Sequence, residues 1–450
     1  MLPLVNTIEG SFARTLIHCD APVRTEPGQL FSGSARCGDR LLVINEALAL
    51  SSAAASLESG MNVLMMVVAA VLTDLYGRKP VLIVGIAFTA VSVLLFLLAC
   101  LLSPWARTLF ILGQGLQGAF PVELLFQQVA ADLAALEGGD GMAVFELQGV
   151  VKFLPKVIFG FVASAIQVLE LRSYLGLWSC VLAANLGMAA LAALHLRETK
   201  RAGPSEASCG GVVAGVRREL GEYRALFAET RRVGRLELVL AYLLVDAVAR
   251  ARFANLIFPF SMSYYGMSAA EVIAWAIPVI LIHTLSTPLV GRVCSRLGMR
   301  PGFVAVCLYK LCAAALFLLQ PFSRLAWFAQ YYLSSTASGW DALTNTMSSA
   351  IFKDRVSKYM ALTALCSYGA NAIAAPLYAA AFDAKAITYS GRLIPGLLSF
   401  ALQMCGLLIL FVPSTGVWPL FCIGLDEMQR NSKQQDGARL GRVPPEEKAD

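Results

Sequence analysis

The chain has 450 residues, of which 57% are hydrophobic and only 15% are charged. Soluble domains carry about 25% charged residues, and a core of this size cannot hide so much apolar surface from water. These proportions exclude an ordinary soluble protein and predict a protein that crosses a membrane several times. The net charge of +6 is modest, so the positions of Lys and Arg matter more than their number. No basic patch for nucleic acid is evident, because membrane topology explains where the Lys and Arg lie, so no nucleic-acid partner is expected.

Residues 1–46 contain no long apolar run and are predicted to form a polar N-terminal segment. Two cysteines, Cys19 and Cys37, lie in it and could form a disulfide if the segment faces an oxidising compartment. The eleven cysteines of the chain are otherwise scattered singly, without the spacing of metal ligands. We therefore expect no metal site and no cofactor, and most cysteines are interpreted as small buried residues.

Apolar blocks follow, each long enough to cross about 30 Å of hydrocarbon as a helix. The eleven blocks cover residues 47–72, 80–102, 108–133, 142–169, 175–196, 236–264, 268–290, 301–320, 325–352, 357–382 and 394–421. Helices are required because every backbone polar group in lipid must be satisfied within its own segment. The sequence therefore predicts an all-α integral membrane protein.

The interval 197–235 breaks this pattern with nine Lys or Arg and five Glu. It is predicted to be a linker between two helical bundles, 47–196 and 236–421, and 422–450 is predicted to be a polar tail. Lys and Arg collect in the linker, in the tail and in every second loop, as cytoplasmic segments do. This indicates a cytoplasmic linker and C-terminus, but not which membrane holds the protein.

Two short turns repeat half a chain apart. "TDLYGRKP" ends with Pro80 and "CSRLGMRP" ends with Pro301, so Gly77 and Gly298 stand 221 residues apart. Each turn joins two apolar blocks on the predicted cytoplasmic side. Two similar bundles explain this repetition, and internal repeats are typical of secondary transporters. Chance similarity of two basic turns is the alternative.

The stretch 70–79 resembles the signature loop of the major facilitator superfamily, Gly-x-x-x-Asp-Arg/Lys-x-Gly-Arg/Lys-Arg/Lys. In the first copy the matching residues are Asp74, Gly77, Arg78 and Lys79, whereas Ala70 and Leu75 depart from the pattern. In the second copy the matching residues are Gly291, Arg296, Gly298 and Arg300, whereas Ser295 and Met299 depart from it. The short signature loop, with LSTPLVGR before its second copy, also resembles the tetracycline-resistance-like and proton-coupled-folate-transporter-like branches of the superfamily.

The resemblance implies two pseudo-symmetric six-helix bundles, yet the family's first span is not visible before residue 47, so about eleven spans are expected. It also implies that the matching residues of both turns act in gating. Asp74 would latch the bundles together in the outward-facing state, with the segment near Arg355 and Lys358 as its expected partner. The alternative is that Arg78 and Lys79 only anchor the topology.

Charged residues inside the predicted spans are the candidates for substrate binding, because each is costly in lipid. They are Glu123, Lys152, Lys156, Asp246, Arg250 and Asp341. Lys152 and Lys156 share one helix face and repel each other, so they need an acidic partner or an anionic substrate. Glu123 or Glu146 could be that partner.

The other charged residues in the predicted spans could have structural roles instead of binding substrate. Asp246 and Arg250 have the spacing of an intrahelical ion pair, whereas Arg252 falls on a different face. A buried structural pair is the alternative role for each candidate, and Lys310 could instead extend toward the membrane surface. His283 could titrate near neutral pH or serve as a packing residue.

The fourth family span usually carries Arg-x-x-Gln-Gly, but here Gln114 replaces the Arg while Gln117 and Gly118 match. A neutral Gln cannot shift the pKa of a carboxylate as an Arg does, so proton coupling stays open. No ATP-binding or hydrolase motif is present, which argues against an enzyme.

We therefore expect a monomeric secondary active transporter of a small organic solute that works by alternating access in the lipid bilayer. Two more specific predictions stay open: that transport is coupled to protons and that the substrate is an anion. The alternative is a non-transporting membrane receptor or scaffold derived from a transporter, which the missing first span favours.

Overall fold

A computed structural model of the chain describes residues 40–122, 125, 174–196, 209–230, 236–267, 269–336, 343–344, 356–382 and 389–440. Twelve α-helices lie within these residues, and no strand occurs among them. The earlier helices are α1 (Arg40–Tyr76), α2 (Arg78–Leu101), α3 (Ala106–Gly118), α4 (Tyr174–His195) and α5 (Cys209–Thr230). The later helices are α6 (Leu236–Tyr265), α7 (Ala269–Leu297), α8 (Met299–Ala315), α9 (Arg324–Thr336), α10 (Val356–Ala381), α11 (Tyr389–Phe411) and α12 (Val417–Leu440).

The prediction of an all-helical membrane protein is confirmed. Within the described ranges, five helical segments are long and apolar enough to cross a membrane: Asn45–Tyr76, Arg78–Leu101, Trp178–His195, Met299–Leu319 and Gly391–Phe411. Helix α6 is not among them because Asp246, Arg250 and Arg252 interrupt its apolar sequence. The predicted absence of a first span concerns residues 1–46. Residues 1–39 of this segment, with Cys19 and Cys37, lie outside the described residues, and residues 40–46 form the start of α1.

The last predicted span, 394–421, is divided in the structure. Helix α11 ends at Phe411, and a short 3₁₀ turn, Pro413–Thr415, separates it from α12. Proline has no N–H to continue the helical hydrogen bonds, which explains the break. Helix α12 then packs Val417, Leu420 and Leu425 against the second bundle, so the tail begins as a docked helix.

The first bundle consists of α1 to α4 around an aromatic core. The Phe96 ring of α2 lies 5.6 Å from the Phe110 ring of α3 and 4.8 Å from the Trp178 ring of α4. Ser92 donates a hydrogen bond of 2.7 Å to the carbonyl of Gly113, which ties α2 to α3. Tilted ring pairs at these distances add about 0.5–1.5 kcal/mol each to the apolar burial.

The second bundle consists of α6 to α12 and has two apolar cores. In one, the rings of Phe260 and Trp327 stack at 4.2 Å, and the Trp327 indole donates a hydrogen bond of 3.0 Å to Ser261. In the other, Phe303 and Tyr242 pack edge-on against Phe421 of α12. Each core draws on several helices, so the second bundle packs as one unit.

Helix α1 belongs to both bundles. Its Ala54 packs in the core of the first bundle, whereas Leu48 and Met66 pack in the two cores of the second. Ser56 of α1 donates a hydrogen bond of 3.1 Å to the carbonyl of Ala372 in α10. The contact between α1 and α10 is therefore the joint between the bundles.

The predicted linker contains helix α5, which the sequence analysis did not anticipate. Gly215, Glu219, Tyr223 and Leu226 recur every three or four residues and form its buried face. A Cβ at Gly215 would lie 2.5 Å from Val71 of α1, which shows how closely the helices approach. Tyr223 and Leu226 pack in a core of the second bundle, so α5 contacts both bundles.

Gly118 allows α3 to pack directly on the backbone of α1. A Cβ at this position would clash with the carbonyl oxygen of Glu58 and lie 2.8 Å from its Cα. Neither backbone atom can move cheaply, so we expect Gly118→Ala to reduce stability by about 1–3 kcal/mol. Thermal unfolding of the purified protein in detergent measures the loss.

Gly60→Ala is the matched control, because the space around a Cβ at Gly60 in the described structure is open. Alanine favours a helix over glycine by about 0.5–1 kcal/mol, so this variant should be as stable as the native protein or slightly more so. Equal stability of the two variants would contradict the close packing of α3 on α1.

Candidate functional site

The first signature turn is a glycine turn between α1 and α2. Gly77 has φ 91° and ψ 166°, a conformation that is almost restricted to glycine. The Arg78 side chain is buried and folds back onto α1, where it donates a hydrogen bond of 2.7 Å to Thr73. Thr73 in turn donates a hydrogen bond of 2.6 Å to the carbonyl of Ala70. Arg78 therefore stabilises the end of α1.

The second turn has the same backbone shape but different partners. Gly298 has φ 89° and ψ 149°, close to Gly77, which supports the predicted internal repeat. Arg300 donates a 2.7 Å hydrogen bond from Nε to Asp426 of α12, and its Nη2 contacts the second carboxylate oxygen. These hydrogen bonds hold the pKa of Asp426 below its ordinary value. Arg300 thus fastens the tail helix, while Arg296 is exposed.

Asp74 lies on α1 just before the first turn and faces the linker helix. Burial raises the pKa of Tyr223 in α5, and the nearby carboxylates of Glu219, Glu222 and Asp74 raise it further. Asp74 and Lys79 are both half-buried. The expected partner region of Asp74 falls at Arg355 and at the Lys358 side chain, which lie outside the described residues.

Asp246 is the centre of a buried cluster of charges in the second bundle. Its Oδ1 lies 2.5 Å from Nζ of Lys310 in α8, and its Oδ2 lies 3.0 Å from Nε of Arg250. The predicted intrahelical pair is therefore present. Lys310 does not extend toward the membrane surface, because its side chain is buried against Asp246.

A small cavity adjoins this cluster and has room for about one water molecule. Its polar lining comes from Tyr242 and Asp246 of α6, Cys307 and Lys310 of α8, and Gln403 of α11. All three helices belong to the second bundle. The cluster therefore ties one bundle together internally, away from the joint between α1 and α10.

Arg252 is a second buried cation of α6. Its Nη2 lies 2.5 Å from Oε1 of Gln330, and its guanidinium lies 4.5 Å from the ring centre of Phe253 and 5.3 Å from that of Trp327. Its Nε and Nη1 have no hydrogen-bond partner among the described residues. The aromatic faces stabilise this cation in part.

Several predicted site residues cannot be placed. Outside the described residues lie Glu123, Glu146, Lys152, Lys156 and Asp341, and the side chain of His283. Of the predicted substrate-binding residues, the structure thus places Asp246 and Arg250, which it brings together.

Glu58, a carboxylate in the middle of the first predicted span, was not among the predicted site residues. Glu58 lies two residues after Ser56, whose hydroxyl donates a hydrogen bond to Ala372 of α10, so it is close to the joint between the bundles. Its backbone packs against Gly118 of α3. A signal was present in the sequence, because a Glu inside the apolar block 47–72 is as costly as the acids that were singled out.

Gln114 of α3, which replaces the Arg of the family pattern, is buried with an exposed fraction of 1%. Neither its Oε1 nor its Nε2 has a hydrogen-bond partner within the described structure. A buried amide without partners costs about 1–3 kcal/mol for each unsatisfied group. Burial of the Gln114 amide in this arrangement is therefore costly.

Comparison with known families now identifies the architecture. The family model described as Major Facilitator Superfamily matches residues 41–376, more than half of the chain. The chain belongs to the major facilitator superfamily. None of the curated proteins that were compared matches its sequence.

Solved structures of superfamily transporters share the fold. The human organic anion transporter MFSD10 (TETRAN) is 17% identical, with a TM-score of 0.57 over 91% of this chain and 97% of that chain. A mutant of the nucleoside transporter NupG is 14% identical, with a TM-score of 0.58 over 90% of this chain and 99% of that chain. The xylose transporter XylE from E. coli is 12% identical, with a TM-score of 0.63 over 92% of this chain and 94% of that chain.

Membership of the superfamily makes this chain a multi-pass membrane protein and a secondary transporter. The two-bundle fold that the repeated turns predicted is confirmed. The finer branch within the superfamily stays a prediction.

The ion-pair geometry predicts unequal effects of removing its members. Asp246→Asn removes the carboxylate that contacts two cations, and breaking a buried pair costs about 3–5 kcal/mol. Lys310→Met leaves the contact with Arg250 in place, so we expect a smaller loss of about 1–3 kcal/mol. Thermal unfolding of both variants in detergent, compared with the double variant, measures the difference.

The double variant should be more stable than the sum of the two losses indicates, because the single variants share one interaction. Strict additivity, or a larger loss for Lys310→Met, would show that Asp246 is not the centre of the cluster.

Proposed function

We propose that this member of the superfamily moves a small organic anion across the membrane together with a proton. It works as a monomer that rocks its two bundles about the joint between α1 and α10, with the linker and the C-terminus in the cytoplasm. Structural neighbours named as organic anion, nucleoside and xylose transporters share the fold. The nature of the solute therefore has to come from the residues of this chain.

The way in which the two bundles contact each other is the observation that supports alternating access. The cores of the bundles are separate, apart from contributions by α1 and α5. One described polar contact across the joint is the hydrogen bond from Ser56 to a backbone carbonyl of α10, worth about 0.5–1.5 kcal/mol. Such an interface can rearrange while each bundle keeps its own core.

Positive charge in the membrane favours an anionic solute. Lys152 and Lys156 are four residues apart in a predicted span, so their charges add on one helix face. Arg252 adds a buried guanidinium with two nitrogens that lack hydrogen-bond partners in the described part of the chain. Cations of this kind attract anions and repel cationic solutes.

The two signature turns are proposed to set the balance between the two orientations of the bundles. In the first turn, Gly77, Arg78 and Lys79 shape the end of α1 so that Asp74 can latch onto neighbouring helices. In the second turn, Gly298 and Arg300 hold α12 against the second bundle, next to Arg296. Contacts of a few kcal/mol are enough to shift such a two-state equilibrium.

Uptake by reconstituted vesicles tests the proposal. Vesicles with an acidic exterior should accumulate labelled small organic anions, and a protonophore should abolish the accumulation. The variant Lys152→Gln/Lys156→Gln should reduce uptake at low solute concentration about tenfold or more, because contacts to charged groups are lost. Lys433→Gln, on the tail helix α12, is the matched control and should transport normally.

Flux equal to that of protein-free vesicles across a broad solute panel would overturn the proposal and favour the non-transporting receptor or scaffold. Faster uptake of neutral or cationic solutes than of anions would overturn the anionic assignment alone.

Asp74→Asn tests the latch. Removing the charge should slow anion uptake severalfold while the protein still inserts and purifies normally, because the carboxylate stabilises one orientation of the bundles. Glu46→Gln neutralises an exposed carboxylate near the opposite end of the same helix and is the matched control. Uptake by Asp74→Asn at the rate of the control would contradict the latch.

A further inference from the structure

Helix α10 contains a proline next to the joint between the bundles. Pro376 lies inside the helix and has no backbone N–H. In an α-helix the carbonyl of each residue accepts a hydrogen bond from the N–H four residues later. The Ala372 carbonyl is four residues before Pro376, so its usual helical donor is absent. Within a membrane, where water does not replace the lost donor, a group from a neighbouring helix stabilises such a carbonyl.

The group that does so in this structure comes from the other bundle. The Ser56 hydroxyl of α1 donates a hydrogen bond of 3.1 Å to the Ala372 carbonyl. Ser56 lies two residues after Ala54, which is buried in the core of the first bundle. Tyr378, six residues after Ala372, is buried in a core of the second bundle. The hydrogen bond therefore links a helix segment packed in one bundle to a segment packed in the other.

We propose that Ser56 and Pro376 form a switch that biases the balance between the two orientations of the bundles. In the described orientation, Ser56 satisfies the carbonyl that Pro376 leaves without its helical donor. When the bundles separate at this level, water has to reach the Ala372 carbonyl, because the N–H of its own helix is missing. The inference rests on the proposed function, since the switch acts on the rocking of the bundles about the joint between α1 and α10.

Opening this contact costs α10 more than α1. A serine hydroxyl in a helix can turn back and bond to a carbonyl three or four residues earlier in its own helix. Ser51 of α1 does so, with a hydrogen bond of 3.1 Å to the Leu48 carbonyl. Ser56 can therefore replace its acceptor within α1, whereas the helical donor for the Ala372 carbonyl is missing from α10. The cost of opening thus depends on Pro376.

Pro395 of α11 is a comparable proline whose surroundings lie within the second bundle. It also lies inside its helix. The Arg392 carbonyl, three residues earlier, accepts a hydrogen bond of 3.1 Å from the Gln320 side chain, which follows α8. Ser399, four residues later, donates a hydrogen bond of 2.8 Å to the Ala249 carbonyl of α6. These contacts do not cross the joint, so Pro395 is the matched control for Pro376.

Distances between the bundles of the full-length protein in lipid vesicles test the switch without any solute. Genetically encoded spin labels replace Trp105 before α3 and Leu325 in α9, which are both exposed and belong to different bundles. Pulsed electron paramagnetic resonance then gives the ratio of the described orientation to the other one. Ser56→Ala should lower this ratio about threefold to tenfold, as the loss of one hydrogen bond does. Ser51→Ala, which removes a hydrogen bond within α1, should leave the ratio unchanged.

A double variant separates the switch from a general loss of packing. Pro376→Ala restores the N–H of residue 376, so the Ala372 carbonyl keeps a helical donor when the Ser56 hydroxyl is removed. In this background Ser56→Ala should change the ratio by less than about twofold, because the two residues act on the same carbonyl. In the Pro395→Ala background Ser56→Ala should keep its full effect.

Two results would overturn the proposal: an unmoved ratio in Ser56→Ala, or an equal effect of Ser56→Ala in the native and the Pro376→Ala backgrounds. If Pro376→Ala does not fold, the comparison of Ser56→Ala with Ser51→Ala decides alone. A ratio that responds as expected in a protein that takes up no anions would contradict the proposed function and leave the switch intact. Anion uptake by a protein whose ratio does not respond to Ser56→Ala would do the reverse.

Discussion

The lack of hydrogen-bonding partners in hydrocarbon governs this structure. It forces the backbone into helices, whose N–H and C=O groups pair within the segment. It applies equally to side chains, which must find partners inside the protein. Asp246 meets this demand by contacting both Lys310 and Arg250. Gln114 does not meet it in the described structure. A satisfied polar group stabilises one arrangement, whereas an unsatisfied one favours a change of arrangement, so the two groups suit different tasks.

Helix α1 connects these local demands to motion of the whole molecule. It contributes to the core of the first bundle through Ala54 and to those of the second through Leu48 and Met66. Glu58 lies between these contacts, with its backbone against Gly118 of α3 and two residues from Ser56, which bonds to α10. This part of α1 therefore contacts both bundles. A change within the Asp246 cluster acts inside one bundle, whose helices it holds together.

Local features of the fold followed from the sequence, whereas contacts between distant segments did not. Apolar blocks predicted the helices, the two glycines predicted the repeated turns, and the spacing of Asp246 and Arg250 predicted their ion pair. The contact of Lys310 with Asp246 spans 64 residues and depends on how α6 and α8 pack. The docked helix α5 was missed because its many charges resemble a solvated linker, although its buried face repeats with helical spacing. Glu58 was overlooked among apolar neighbours because its position at the joint depends on the packing of α10, about 300 residues away.

The two signature turns show how a duplicated element can acquire different tasks. Both glycines adopt a positive φ near 90°, so the backbone of the repeat is retained. The arginines differ. Arg78 is buried against Thr73 at the end of its own helix, whereas Arg300 is exposed and binds Asp426 of the tail helix. The second bundle thus uses its turn to hold a segment that follows it, whereas the first turn lies beside α5. If Asp74 acts as the proposed latch, this asymmetric pair of turns provides one fixed end and one adjustable end, which a strictly symmetric repeat would not provide.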